Sequence, residues 1–427
     1  MLTYEEALEY IHSTEKVKKS EGHLAMKRLL ARFGDPQDTL KYVHIAGTNG
    51  KGSCAAMSAN VLKAAGYKVG MNISPYVIEF RERIQLNGEF IPKEDLALVT
   101  DKVKTEREKM KEDEGLELTE FEKVTSIAMI WFRMEKCDVV VLEVGVGGLN
   151  DCTNIIKDNL VACIMNIDFD HTRRLGNTLA EIAVHKAGII KPGCPVVRYP
   201  AMKQEALDVI KQTRKEKKSE LIVPPMGKIR MENTGFMKSR LSYGGMVVDQ
   251  SFAGIHQSYN ATVVIEAMRA LRKQGYNITD EDIRKGIGST VFPARIEVIS
   301  ESPLVILDGG HNIDGVSRLV KVLRENNIHD LTAVWASLRD KDPESIVKLI
   351  SPYVKRLYTV PLHGNRALDS RILAEMAKRH IPESYAMEDV ISAVDTAREN
   401  MTDGGLLVFG SLYLAGDARE HLLELFR

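Results

Sequence analysis

The stretch "YVHIAGTNGKGS", Tyr42 to Ser53, decides how the rest of the chain is read. A short apolar run with β-branched residues ends at Ala46. A glycine-rich turn follows, and then "CAAMSANVLKAAG", which has helical spacing and ends at a glycine. Strand, glycine turn and helix form a unit that aims backbone amides and a helix N-terminus at an anion. The stretch departs from the strict phosphate-loop pattern G-x-x-x-x-G-K-[ST]. Counting back from Gly50-Lys51, Ile45 holds the first glycine position, and Gly52 stands where the hydroxyl residue belongs. Lys51 supplies a full positive charge, and Ser53 is the hydroxyl placed to approach a metal. Taken alone, the same letters also describe a structural turn with a surface lysine.

Outward from the loop, strand-like and helix-like segments alternate. "YKVGMNI" reads as the next strand, "TEFEKVTSIAMIWFRMEK" as a long helix capped by Thr119, and "CDVVVLE" and "LVACIMNI" as strands covered on both faces. This alternation predicts an α/β fold with a P-loop-type, mostly parallel sheet in its N-terminal domain. Between Ile229 and Phe252 the pattern changes to "KIRMEN", "SRLSYG" and "MVVDQSF", a small antiparallel ribbon attached to that domain. Helices are expected at "HQSYNATVVIEAMRAL" and "TDEDIRKGI". After "STVFPARIEVIS" a smaller, Rossmann-like α/β series begins, with strands at "LVILDGG", "LTAVWAS", "VKRLYTV" and "GGLLVFGS". The boundary is placed near Phe292, giving domains 1–292 and 293–427. The charge run "KTEREKMKEDEG" is expected to be a solvated helix end.

Bulk properties agree with two soluble domains. The chain has 427 residues, too many for one ordinary core. Lys plus Arg number 58 against 59 Asp plus Glu, which provides neither a basic field for nucleic acid nor a polybasic membrane patch. The N-terminus has no apolar signal core, and no apolar run is long enough to span a bilayer. The five cysteines lack C-x-x-C spacing, so reduced thiols in the cytoplasm are expected. No coiled-coil seam is present, and a monomer is expected.

In open α/β sheets, ligands bind beyond the carboxyl ends of the strands. Four predicted strand ends carry chemistry: "GTNGKGS", then Ser74-Pro75, then Glu143 ahead of "VGVGGLND", then Asp168, Asp170 and His171. Converging on one sheet edge, they suit a polyphosphate and its magnesium. Singly, each has a plainer reading. Glu143 would be a salt-bridged edge carboxylate, and His171 a hydrogen-bonded structural histidine. Lys186 in "EIAVHKAGIIKPG" has helical spacing that favours a lysine snorkelling to solvent. The second series repeats the arrangement, with Asp308 and His311 past one strand, Ser337, Arg339, Lys341 and Asp342 past another, and Ser411 past a third. Two sheets with polar strand ends imply a cleft between domains, and Arg295 in the linker is within reach of a phosphate there.

At this point the chain resembles the folylpolyglutamate synthase and dihydrofolate synthase family, relatives of the Mur cell-wall ligases. The resemblance covers almost the whole chain. It rests on "HIAGTNGKGS", "SPYVIEFRERI", "TEFEKVT", "EVGVGGLNDCTN", "DHTRRLGNTLAEIAVHKAGIIKPG", "HQSYNA", "ARIEV", "LDGGHNIDG" and "GSLYLAG", in that order. It implies an ATP-dependent amide ligase that phosphorylates a carboxylate of a folate or dihydropteroate and joins it to L-glutamate. By that likeness, Gly47, Thr48, Asn49, Gly50, Lys51, Gly52 and Ser53 bind ATP together with Asn260, Arg295, Asp308 and His311. Ser74, Glu143 and His171 hold magnesium, and Lys186 is carbamylated by carbon dioxide. Lys51, Lys186 and His171 are the catalytic set.

On the substrate side, the resemblance implies Thr119 and Phe121 near the pterin and Asp151 among the substrate-binding residues. Arg83 suits a substrate carboxylate, its plainer reading being a salt bridge with Glu79 or Glu82. Five positions depart from the family pattern: Tyr76, Leu149, Asp168, His185 and Ala294. They leave open a divergent ligase for another carboxylate. A Mur-like ligase for a nucleotide-sugar is disfavoured, since about residue 47 the loop already begins. A phosphate-loop switch without ligase activity is the reading from another class.

Overall fold

The computed structural model describes residues 1–13, 21–236, 238–250, 254–291, 293–339, 341–362 and 367–426. Two parallel-rich sheets carry the architecture. The first has eight strands: β1 Tyr42–Ala46, β2 Val69–Asn72, β3 Ile84–Leu86, β4 Glu89–Phe90, β5 Val139–Glu143, β6 Val161–Ile164, β7 Val196–Arg198 and β8 Leu221–Ile222. Their order is β4-β3-β2-β5-β1-β6-β7-β8. The pairs from β2 to β8 are parallel, and β3 and β4 add an antiparallel edge. Thus β2, β5, β1 and β6, the four strands whose ends carry polar groups, are neighbours, as the sequence predicts.

β1 and β5 are buried along their full length because helices cover both faces. On one side the helices Lys51–Ala64, Ile255–Lys273 and Asp280–Gly288 pack against the sheet; on the other, Lys93–Glu114 and Glu120–Met134 do so. Thr119 caps the last of these through a reciprocal bond set with Glu122, as the T-x-x-E spacing predicts. The charged tail of Lys93–Glu114 is largely exposed. Strands β9 Arg230–Gly235, β10 Lys238–Tyr243 and β11 Met246–Gln250 form the expected antiparallel ribbon. Its Leu241, Tyr243 and Val248 join the first core, while Phe236 reaches the core of the second unit. Phe252, placed at the ribbon's end by the sequence, lies outside the described residues.

The second sheet has strands β12 Glu297–Glu301, β13 Leu304–Asp308, β14 Leu331–Trp335, β15 Val354–Thr359, β16 Glu383–Ala386 and β17 Leu406–Phe409. Their order is β12-β13-β17-β14-β15-β16, parallel except for β12. The sequence pattern misses β12 and β16 here, and β3, β4, β7 and β8 in the first sheet. We divide the chain at the 292–293 junction, although Phe292 itself lies outside the described residues.

The linker after that junction is kinked. Ala294 and Ile296 adopt φ of 55° and 53°, the left-handed region that costs an L-residue about 1–2 kcal/mol. The kink is held by Ala294 N donating to Glu297 Oε2 at 2.9 Å and Ile296 N donating to Asp308 Oδ2 at 2.9 Å. Arg295 lies between them. Ala294 stands where the related pattern has glycine. Ala294→Gly is therefore expected to stabilise the protein by about 0.5–1 kcal/mol, relieved strain outweighing a lost buried methyl. A higher urea midpoint at unchanged slope is the expected reading, and a lower one would show that the methyl dominates.

Candidate active site

The loop after β1 is shaped by close approach. At Gly50, with φ of 88°, an added Cβ would lie 2.6 Å from Asn260 Oδ1, so only glycine fits. Thr48 fastens the loop to the end of β6: its N–H donates to Asn166 O at 2.7 Å and its hydroxyl to Asp168 O at 2.9 Å. Lys51 opens the following helix and folds back, Nζ donating to Gly47 O and Thr48 O at 3.2 Å each. Ser53 is buried below it. Asn49 reaches the other unit, its Nδ2 donating to Asp314 Oδ2 at 2.6 Å.

At the end of β5, Glu143 is buried and accepts a hydrogen bond from Ser74 N at 3.1 Å. Burial pushes its carboxyl up; Lys51, the Ser74 amide and Arg295 pull the other way. Past β6, Asp170 forms an ion pair with Lys341 of the second unit and accepts from Asn312 Nδ2 at 3.3 Å. Burial would raise this carboxyl, but Lys341 and His171 hold it well below the usual range. His171 and His311 each place Nε2 3.9 Å from Asp170 Oδ2. Burial pushes both imidazoles down to about 4, leaving them neutral at pH 7.

Lys186 corrects the snorkelling expectation. It is 3% exposed on the helix Leu179–Ala187, and its ammonium has no hydrogen bond or ion pair among the described residues. Burial, then the charge of Lys51, pushes its pKa down to about 7. Spacing could not show this, because the end of the helix at His185 and Lys186 packs on the loop at Gly147 and Gly148 rather than facing solvent.

From the second unit, Asp308 accepts from Ile296 N and Gly310 N, both at 2.9 Å, and is buried. Arg295 is partly buried beside it. Burial lowers the guanidinium's pKa, while Asp308 and Glu143 favour its charge. Asn260 donates to Gln257 Oε1 at 2.9 Å and leaves its own Oδ1 buried without a partner among the described residues. These groups and the glycine loop line a cavity of about 120 Å³. A second cavity of about 960 Å³ adjoins it. Lys51, Ser74 and His311 line both, so the two adjoin at Lys51. Glu143 faces the smaller cavity and His171 the larger.

The larger cavity holds the remaining predicted residues. Arg83 is buried, with its guanidinium 5.5 Å from the ring centres of both Phe80 and Phe121. Its ion partner is Glu120 at 3.5 Å, not Glu79 or Glu82: Glu79 pairs with Arg81, and Glu82 accepts from the amides of Val77, Ile78 and Glu79. Asp151 braces its own loop, accepting from Val146 N, Thr153 N and Thr153 Oγ1. Of the five departing positions, Tyr76 and His185 line this cavity. Leu149 is exposed and sits on Gly188, and Asp168 pairs with Lys203 at 2.9 Å. Asp170 and Lys341 follow predicted strand ends but are not among the residues the sequence assigns to the site, and nothing in the sequence singles out Asp314. Their signal, a polar residue beside a predicted strand end, was present but did not reveal partners in the other unit.

Comparison with known proteins gives a consistent result. Residues 45–268 match the Mur ligase middle domain, and residues 294–412 match the Mur ligase glutamate ligase domain. The chain is 32% identical to a folylpolyglutamate synthase of Lacticaseibacillus casei over 99% of both chains. It is 33% identical to a dihydrofolate synthase/folylpolyglutamate synthase of Bacillus subtilis, over 98% of this chain and 99% of that one. A solved FPGS-AMPPCP-folate complex aligns with a TM-score of 0.85 at 31% identity, covering 99% of this chain and 100% of the other.

Proposed function

This chain belongs to the folylpolyglutamate synthase and dihydrofolate synthase family of Mur-type ligases, and from that premise we propose an ATP-dependent ligase that adds L-glutamate to the γ-carboxylate of a folate. The observation that carries this is the junction of the two cavities at Lys51. ATP with its phosphates on the glycine loop, beside a smaller space that is too small for the whole nucleotide, would direct its γ-phosphate at a carboxylate in the larger one. Carboxylate oxygen is a poor leaving group. Its attack on the γ-phosphorus makes an acyl phosphate and ADP. The glutamate amine then attacks the acyl carbon, the C–O bond breaks, and inorganic phosphate leaves. Lys51 neutralises charge on the moving phosphoryl group. Arg83, stacked and buried, grips a carboxylate of the acceptor. One copy of the chain carries every group named, which a monomer would require. Among the described residues, no helix is long and apolar enough to cross a membrane.

The donor chemistry fits magnesium. Among the described residues, no three of His, Cys, Asp and Glu lie together as a complete metal site. Magnesium keeps several waters and needs only one or two carboxylates beside substrate phosphates. Glu143, the Ser74 hydroxyl and the neutral His171 would hold it. When bound, the ion offsets charge on the phosphate oxygens.

Lys186 gives a pH-dependent test. A free amine adds carbon dioxide to give a carbamate and a proton; an ammonium cannot. With a pKa of about 7, the reactive amine dominates above neutrality and the inert ammonium below it. Activation by bicarbonate is therefore expected to increase from pH 6 to pH 8. Lys186→Ala is expected to lose at least about a hundredfold in rate, with partial recovery on adding a small carboxylic acid. Full activity of that variant without any carboxylate would remove the carbamate from the mechanism.

The function itself is tested by incubating the protein with MgATP and glutamate plus tetrahydrofolate, its monoglutamyl extension or dihydropteroate, and weighing the products. One added glutamyl unit on a folate supports the proposal, and addition to dihydropteroate would extend it to dihydrofolate synthesis. Glutamate-independent hydrolysis would favour a nucleotide switch, and no reaction with any pterin would favour another carboxylate substrate.

A further inference from the structure

The second sheet has an apolar core on each face. One of them contains Val305, Leu307, Val408, Leu412 and Leu414, and among the described residues every buried member but one lies at position 294 or later. The exception is Val77, from the loop that follows β2. It is 8% exposed. A side chain supplied by the first unit thus completes a core of the second.

Val77 is seated by a close approach. The helix Leu412–Leu425 passes over it at Gly416, the last residue of the stretch "GSLYLAG". A Cβ added at Gly416 would lie 1.8 Å from Val77 O and 2.9 Å from Val77 C. The obstacle is backbone, which no change of rotamer moves aside, so only glycine lets helix and loop meet here. From within the first unit the same loop is gripped by Glu82. Its carboxylate accepts from Val77 N at 2.9 Å, Ile78 N at 2.7 Å and Glu79 N at 2.9 Å. At the other end of the loop, Ser74 N donates to Glu143 Oε2 at 3.1 Å. Between these anchors Ser74, Pro75 and Tyr76 line the larger cavity. Tyr76 directly precedes Val77, and close-packed interiors transmit small shifts rather than absorb them.

We propose that Gly416 is a positioning residue for ligation. By admitting the Val77 carbonyl against the helix it seats Val77 in the second core, and so sets where Ser74 and Tyr76 stand in the wall of the larger cavity. A wall that belongs to the first unit by sequence is thereby aligned by the second unit. The role toward ligation rests on the larger cavity holding the folate acceptor.

Gly416→Ala and Val77→Ser test this. Alanine favours a helix more than glycine does, so the first variant does not weaken the helix itself. The second leaves the helix unchanged and weakens the seat. Amide hydrogen exchange of the ligand-free protein is followed peptide by peptide. In both variants, exchange over residues 74–82 is expected to rise at least about tenfold, with the glycine loop 47–53 and β14 unchanged. Ligation is then assayed with MgATP, glutamate and tetrahydrofolate. Gly416→Ala is expected to lower kcat/KM for the acceptor about a hundredfold, the effect of a misplacement of about 1 Å, while ATP affinity measured without acceptor stays within about threefold. Unchanged exchange over 74–82 in both variants would overturn the proposal. So would a rise spread evenly over both sheets, which would make Gly416 a packing residue only. A loosened loop with wild-type kcat/KM would overturn the positioning role. Absence of turnover by wild-type protein would instead refute the folate reading, and with it the role toward ligation, whatever the exchange shows.

Discussion

Lys51→Ala is expected to lower kcat/KM for ligation about a thousandfold while changing stability by no more than about 1 kcal/mol. The two effects separate because of where the ammonium stands. Lys51 contributes nothing to the apolar core; its Nζ leans on the carbonyls of Gly47 and Thr48 where the two cavities adjoin. Alanine is a strong helix former and would continue the helix Lys51–Ala64 without strain. What is lost is a positive charge placed before the phosphoryl group arrives, which costs no reorganisation during transfer. Lys51→Arg is expected to recover little, because a planar fork does not replace a compact ammonium in a glycine loop. Retention of a tenth or more of wild-type activity by Lys51→Ala would return the loop to its plainer reading, a turn with a lysine on it.

The second large effect is expected at Asp170. Its pairing with Lys341 joins the two units, and both side chains are nearly buried. Asn49 and Asn166 donating to Asp314, and Asn312 donating to Asp170, bridge the same seam. Removing one member of a buried ion pair leaves the other charge unpaired at a cost of about 3–5 kcal/mol. Asp170→Asn is therefore expected to open the seam, seen as a larger radius of gyration in solution and a loss of ligation. Adding Lys341→Met to that variant removes the stranded charge and is expected to restore part of the compactness. Strict additivity of the two changes would show that the pair is not coupled. The sign with pH follows from the shift. The folded Asp170 carboxyl lies below its ordinary range, so its contribution is fully present above about pH 4. It is lost only as pH falls through the depressed value, and closure is expected to be insensitive to pH across the neutral range.

What the sequence revealed depended on how local the cause was. The loop Gly47–Ser53 was legible because a β-branched run, glycines and a helical pattern follow one another without a gap. Thr119 was legible as a cap because its partner Glu122 is three residues away. The ribbon was legible because alternation and glycine turns change the period. β7, β8 and β16 were not, since two to four residues are too few to carry a measurable period. Asp170 and Lys341 meet across 171 residues, and nothing in either neighbourhood names the other. Lys186 shows the same limit: helical spacing describes one helix, while its burial is set by the loops packed against it. The Ala294 kink was hidden because the residue type argues against a left-handed backbone.

The central claim is that a carboxylate in the larger cavity is phosphorylated by a nucleotide whose phosphates lie on the glycine loop and is then joined to glutamate. The most direct measurement is the fate of oxygen. Tetrahydrofolate labelled with oxygen-18 in its γ-carboxylate is incubated with the protein, MgATP and glutamate, and the released inorganic phosphate is weighed. Passage through an acyl phosphate breaks the bond between the acyl carbon and a carboxylate oxygen. One labelled oxygen is therefore expected in phosphate for each glutamyl unit added to a fully labelled carboxylate. Unlabelled phosphate released alongside product would contradict the acyl phosphate, and unlabelled phosphate without product would contradict the ligase.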